Sequence, residues 1–194
     1  MSKEQKLTTK IIAGKYRGIK LDLPSLESTR STKSIMKESL FNTLQFDIVG
    51  ENFIEVFGGS GSMGLEALSR GAKHAFFIEL DKKAYGVLRA NCSKISQEDT
   101  TCINADSFLA LKEIVSKLDT PGFFYFDPPF NIREGQDDVY EKTNLLISSL
   151  PKDKVHLIAV EHMSSFKMPE VLGDYRLHKM KKFGKSSLSY YIKM

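Results

Sequence analysis

Phe53-Ile-Glu-Val-Phe-Gly-Gly-Ser-Gly-Ser-Met-Gly64 is a β-prone run that breaks into a glycine-rich turn and then into a helical pattern. From there, strand and helix signals alternate. Strand character recurs at 53–57, 74–79, 100–104, 122–127 and 155–161, and helical periodicity at 63–70, 82–95, 106–118 and 138–149. Such alternation predicts a mainly parallel sheet covered by helices on both faces. The pattern changes near the end, where 175–182 and 188–193 flank Gly184 and predict an antiparallel hairpin closing the sheet edge. At the other end, Ile11 to Pro24 predicts a hairpin that turns between Gly14 and Gly18. Residues 33–46 predict a helix with Ile35, Met36, Ser39, Leu40, Thr43 and Leu44 on one side, capped by Ser31 or Thr32.

The length of 194 residues predicts one domain. Within it, 1–46 forms a hairpin-and-helix extension and 50–194 a catalytic core. No apolar run reaches the ~20 residues a membrane helix needs, and Met1–Lys6 lacks a hydrophobic signal core, so a cytoplasmic location is expected. Cys92 and Cys102 form no Cys-x-x-Cys pair and the four histidines are scattered, so no metal is expected. The net charge of +4 is unevenly spread. Residues 1–40 hold nine Lys/Arg against four Asp/Glu, and residues 179–194 hold five lysines and no acid. Residues 41–178 hold 14 basic against 20 acidic side chains. Basic ends around an acidic centre fit contact with a polyanion; they also fit solvated termini.

Gly59, Gly61 and Gly64 satisfy G-x-G-x-x-G. Glycines let the chain turn sharply and bring its backbone against a ligand. The turn lacks the Gly-Lys-Ser/Thr ending of a P-loop. Glu79 ends the second strand and is placed to accept from both ribose hydroxyls of an adenosine cofactor, whether NAD or S-adenosylmethionine. It could instead cap a helix, although Asp81 can do that. Asp106, after the third strand, can cap the next helix and also accept from an adenine amino group.

The choice between cofactors turns on Asp127-Pro128-Pro129-Phe130, which follows the buried strand signal Gly122–Phe126. Two prolines cannot continue a sheet, so they fix a stiff, extended turn at the ligand-binding end of the strand. The Asp127 carboxylate and the Pro128 carbonyl can each accept one N–H of an exocyclic amine, while Phe130 stacks on the base. This geometry suits amino-group methylation of an unpaired or flipped-out nucleobase. A hydride-transfer site has no counterpart at the strand ends, but an NAD-dependent oxidoreductase and a nucleic-acid-binding module remain as rivals.

These residues together resemble the class I S-adenosylmethionine-dependent methyltransferases, and more closely the RsmD family of bacterial 16S ribosomal RNA guanine-N2 methyltransferases. The likeness runs through Ala13–Gly18, Thr29–Thr32, Lys37–Asn42, Gly64–Ala72, Asp127–Phe130, Phe183–Lys185 and Leu188–Tyr191. It implies a Rossmann-like fold, with a mainly parallel seven-stranded sheet and a C-terminal antiparallel hairpin. By this resemblance Arg30, Ser31, Thr32, Glu55, Phe57, Gly59, Gly61, Glu79, Leu80, Asp106 and Ser107 contact S-adenosylmethionine. Asp127, Pro128, Pro129 and Phe130 hold the target guanine. Lys10, Lys15, Arg17, Lys20, Arg133, Lys179, Lys181, Lys182 and Lys185 contact RNA phosphates. The partner implied is 16S rRNA in the small ribosomal subunit or its assembly intermediate, met by a monomer. The chain departs from the family at Glu55, where Asp is usual, and at Ser31, where Pro is usual. An adenine-N6 methyltransferase would use the same acid–proline turn.

Overall fold

A computed structural model describes residues 7–24, 30–129 and 138–194, and the backbone alone for 30–32 and 138. Two short strands, β1 (Thr8–Lys10) and β2 (Lys20–Asp22), form an antiparallel hairpin ahead of helix α1 (Arg30–Leu44). Then follow β3 (Asn52–Glu55), α2 (Ser62–Ser69), β4 (His74–Ile78), α3 (Lys82–Ile95), β5 (Thr100–Ile103), α4 (Ser107–Lys117) and β6 (Gly122–Phe126). The chain ends with α5 (Asp138–Ser148), β7 (Val155–Met163), β8 (Val171–Leu172), β9 (Tyr175–Phe183) and β10 (Ser186–Lys193). The main sheet has the order β5-β4-β3-β6-β7-β10-β9-β8. Strands β3 to β7 are parallel, and β8, β9 and β10 are antiparallel additions.

The expected α/β fold is the fold found, with three local differences. The sheet has eight strands rather than seven, because Val171–Leu172 pairs with the edge of β9. The N-terminal hairpin pairs Thr8–Lys10 with Lys20–Asp22, and Ile11, 2% exposed in the core, carries the pairing on by donating to the Ile19 carbonyl at 3.0 Å. Helix α1 already includes Ser31 and Thr32, so neither is its cap.

Strand side chains alternate between two cores, as the period of two requires. Phe53, Phe77, Phe123, Tyr125, Ala159, Leu188 and Tyr190 pack beneath α1, α2 and α3. Ile54, Val56, Ile78, Phe124, Phe126, Ile158 and Val160 pack beneath α4 and α5. Because β3 to β7 are parallel, their carboxyl ends share one edge of the sheet. From β3 the chain steps outward to β4 and β5, then returns through α4 to β6 on the other side of β3. The crevice between the ends of β3 and β6 is therefore the switch point where ligands bind in open α/β sheets. Among the described residues, no helix is long and apolar enough to cross a membrane.

The hairpin is bolted to the core by α2. Glu66, wholly buried, accepts from the Ile12 and Ala13 amides at 2.7 and 3.0 Å. It also accepts from Arg70 Nε at 2.8 Å and faces the buried Lys37 ammonium at 3.6 Å. Ser69 Oγ accepts from Tyr16 N at 2.9 Å and donates to the Ala13 carbonyl at 2.5 Å. Gly14 makes this approach feasible: its φ is +84°, and a Cβ there would lie 1.8 Å from the Ser69 carbonyl oxygen.

Candidate active site

The glycine turn is held from both sides by carboxylates. Glu55, at the end of β3, accepts from Gly64 N at 2.8 Å and is 4% exposed. Burial pushes its carboxyl up to about 8, against the pull of the Gly64 amide. Glu79, just after β4, accepts from Gly59 N at 2.7 Å and from Asp81 N at 2.8 Å. Gly61 takes a left-handed φ of +75° ahead of α2, and a Cβ there would meet Leu88 Cδ1 at 2.5 Å. Beside Gly59 there is open space.

Asp81 is the cap of α3, accepting from Lys83 N at 2.9 Å and Ala84 N at 2.8 Å. Glu79 is thus not needed as a cap, and a carboxylate with about four lone-pair sites can still receive ribose hydroxyls. Leu80 is 64% exposed beside it. Asp106 caps α4 through Phe108 N at 2.8 Å. It also lines a cavity of about 560 Å³ with Phe108, Lys142, Leu145 and Leu146. Gly59, Glu79 and Asp106 follow β3, β4 and β5 and so stand in that order along adjacent strand ends, while the cavity at Asp106 lies between α4 and α5.

Two of the expected cofactor contacts also have partners within the protein. Ser107 is 4% exposed and donates to the Val56 carbonyl at 2.5 Å, tying α4 to the end of β3. Phe57 packs its ring against Phe108 at 5.8 Å and Phe126 at 6.5 Å, so it shapes the wall between the glycine turn and β6. Asn104 was not anticipated. It donates to the Glu79 and Leu80 carbonyls at 2.7 and 3.0 Å and fixes the loop carrying the acid.

Across the switch point, Asp127 follows β6 directly, and its side chain is 20% exposed. Pro128 is buried and Pro129 exposed, so the turn passes from the interior to the surface within two residues. Phe130 and Arg133 lie outside the described residues, as do the side chains of Arg30, Ser31 and Thr32. The corner also holds groups that spacing did not reveal. Lys33 Nζ, from α1, lies 2.6 Å from Asp127 Oδ2 and 3.7 Å from Glu161 Oε1. Tyr125 OH donates to Glu161 Oε2 at 2.6 Å. Burial, then the Asp127 charge, push the Glu161 carboxyl up to about 7, against Lys33 and Tyr125. Burial lowers the Lys33 ammonium, but Asp127 and Glu161 outweigh it and hold the group above the usual lysine range. A Lys on a helix and a Glu two residues further along a neighbouring strand carry no local signal. They meet because α1 lies on the sheet face that Tyr125 and Glu161 share.

The expected phosphate contacts divide. Lys10, Lys15, Arg17 and Lys20 are exposed on the hairpin, and Lys182 and Lys185 are exposed at the β9–β10 turn. That turn sits at the carboxyl edge, because Ser186 pairs with Met163 at the end of β7. Lys181 is drawn onto α1 through Ser39 Oγ at 2.9 Å, and Lys179 through Thr43 Oγ1 at 3.4 Å.

Residues 9–192 match the family model described as Conserved hypothetical protein 95. The chain is 35% identical over 184 residues to the ribosomal RNA small subunit methyltransferase D of Escherichia coli strain K12, covering 94% of this chain and 88% of that protein. It is 41% identical over 126 residues to the protein of the same name from Haemophilus influenzae, covering 63% and 64% of the two chains. Among solved structures it is similar to a candidate methyltransferase of Escherichia coli, yhhF, with TM-score 0.76 and 30% identity, covering 96% and 98% of the two chains.

Proposed function

This chain belongs to the family described as Conserved hypothetical protein 95, together with the small-subunit ribosomal RNA methyltransferase D proteins, and from that premise we propose that it methylates the exocyclic N2 amine of a guanine in 16S rRNA. The observation that carries the reading is the Asp127 carboxylate on an open proline corner, one strand away from the Glu55- and Glu79-braced glycine turn. S-adenosylmethionine, when bound, supplies an electrophilic methyl group. Glu79 and Asp106 would hold its adenosine, and Glu55 and the glycine turn its methionine end.

An exocyclic amine is a poor nucleophile because its lone pair is shared with the ring. Asp127 and the Pro128 carbonyl each accept one of its N–H groups, which favours a more tetrahedral nitrogen whose lone pair faces the methyl group. The work is positioning and electrostatics, for which well-oriented reactants gain up to ~7–11 kcal/mol. After transfer the nitrogen is cationic and sheds its proton readily, so Asp127 need not be a strong base. Phe130 stacks on a base that has left any duplex.

RNA would be held in the cytoplasm by Lys182 and Lys185 near the corner and by Lys10, Lys15, Arg17 and Lys20 on the hairpin, with Arg133 guiding the base. Residues 1–46 serve as the RNA-gripping extension of one methyltransferase domain that acts as a monomer. Nucleoside analysis of rRNA from a deletion strain tests the reading. Loss of one N2-methylguanosine is expected. Loss of N6-methyladenosine instead would favour the adenine reading that the same corner permits.

A further inference from the structure

The ends of β6 and β7 hold a charged chain that the chemistry above leaves unused. It begins at Tyr125, 3% exposed, whose hydroxyl donates to Glu161 Oε2 at 2.6 Å. Glu161, 2% exposed, faces Lys33 Nζ with its other oxygen at 3.7 Å, and Lys33 donates to Asp127 Oδ2 at 2.6 Å. The links come from β6, β7 and α1, so three elements converge on one carboxylate. The prolines after Asp127 stiffen its backbone, but they do not fix its side-chain rotamer. A lysine ammonium has three donors, and a carboxylate about four lone-pair sites. Lys33 can therefore pin one Asp127 oxygen and leave room for an incoming N–H. Its side chain is 45% exposed, yet its ammonium lies within ion-pair distance of two carboxylates.

We propose that Lys33 is a positioning residue for methyl transfer: braced by Glu161 and Tyr125, it fixes the Asp127 carboxylate in the orientation that accepts the substrate amine. This rests on Asp127 being that acceptor. A misplacement of about 1 Å at reacting groups costs on the order of 100-fold in rate, and that sets the expected effect.

The test is single-turnover transfer of tritiated methyl from S-adenosylmethionine to small ribosomal particles from cells lacking the enzyme. Lys33→Met should slow transfer about 10- to 100-fold. Particle KM and cofactor affinity should stay within about threefold, because the loss is confined to the transition state. Lys33→Arg, which restores a donor, should recover most of the rate. In an Asp127→Ala background, Lys33→Met should cost nothing further, since the lysine acts through that carboxylate. A Lys33→Met enzyme with an unchanged rate and a raised particle KM would make Lys33 a phosphate contact and overturn the inference. So would a loss that adds in full to that of Asp127→Ala. If Asp127→Ala abolishes transfer while Lys33→Met leaves the rate unchanged, the lysine role alone fails. If Asp127→Ala leaves the rate intact, the amine-acceptor reading fails with it.

Discussion

Glu55 sits where charge is disfavoured: 4% exposed, against the Gly64 amide, with its carboxyl pushed up to about 8 by burial. At pH 7 it is therefore mostly protonated. A cation arriving beside the glycine turn would favour the ionised form and expel the proton. Calorimetry at pH 7 in buffers of different ionisation enthalpy should show S-adenosylmethionine binding coupled to release of up to about one proton, and Glu55→Gln should remove that coupling. Stability carries the same sign. A carboxyl raised in the folded state contributes stability that is complete below pH ~4.5 and lost as pH rises through about 8. The denaturation midpoint of Glu55→Gln, measured from pH 5 to 9, should fall less than that of the natural protein. Glu55 was legible as a site residue only through family likeness, because its burial depends on Phe77 and α2 closing over it. Lys33 and Glu161 were not legible at all, since 128 positions separate them in the chain.

Helix α2 explains why one sequence stretch is so characteristic. Its outer side chains, Glu66 and Ser69, are what the N-terminal hairpin docks onto. Lys37, 2% exposed, depends on Glu66 for its opposite charge. Glu66→Gln strands that ammonium, and breaking a buried pair costs ~3–5 kcal/mol. Chemical denaturation should register that loss, and limited proteolysis should cut the hairpin first. Gly14→Ala should cost ~1–3 kcal/mol through its positive φ and its collision with Ser69, with the same early cleavage. The strand–helix alternation from β3 to β7 was readable because every buried strand there carries its own β-prone run. Elements resting on a partner were less so. Two-residue β8 exists only as an addition to β9, and the hairpin strands begin at Thr8, ahead of the expected Ile11 to Pro24 run. Starting α1 at Arg30 turned two expected caps into helix interior.

Over the whole molecule, the two basic ends are carried by different elements, the N-terminal hairpin and the β9–β10 hairpin. The hairpin tip, with Lys15 and Arg17, is anchored at Ser69, eight residues and about 12 Å along α2 from the glycine turn. Lys182 and Lys185 instead stand at the edge where Asp127 opens. Replacing Lys182 and Lys185 by Ala should weaken particle binding and flatten the plot of log affinity against log salt by about 1.5 in slope, with cofactor binding unchanged. The uneven charge was plain from composition, but its division needed the fold, which ties the Lys179 and Lys181 ammonium groups to α1 hydroxyls. Tritium transfer from S-adenosylmethionine to small ribosomal particles from cells lacking the enzyme, followed by nucleoside separation, tests whether Asp127 presents a guanine amine to the methyl donor. Label should appear in N2-methylguanosine with the natural protein and be almost absent with Asp127→Ala, although that variant still binds cofactor. Label in another nucleoside, or undiminished transfer by Asp127→Ala, would contradict that role.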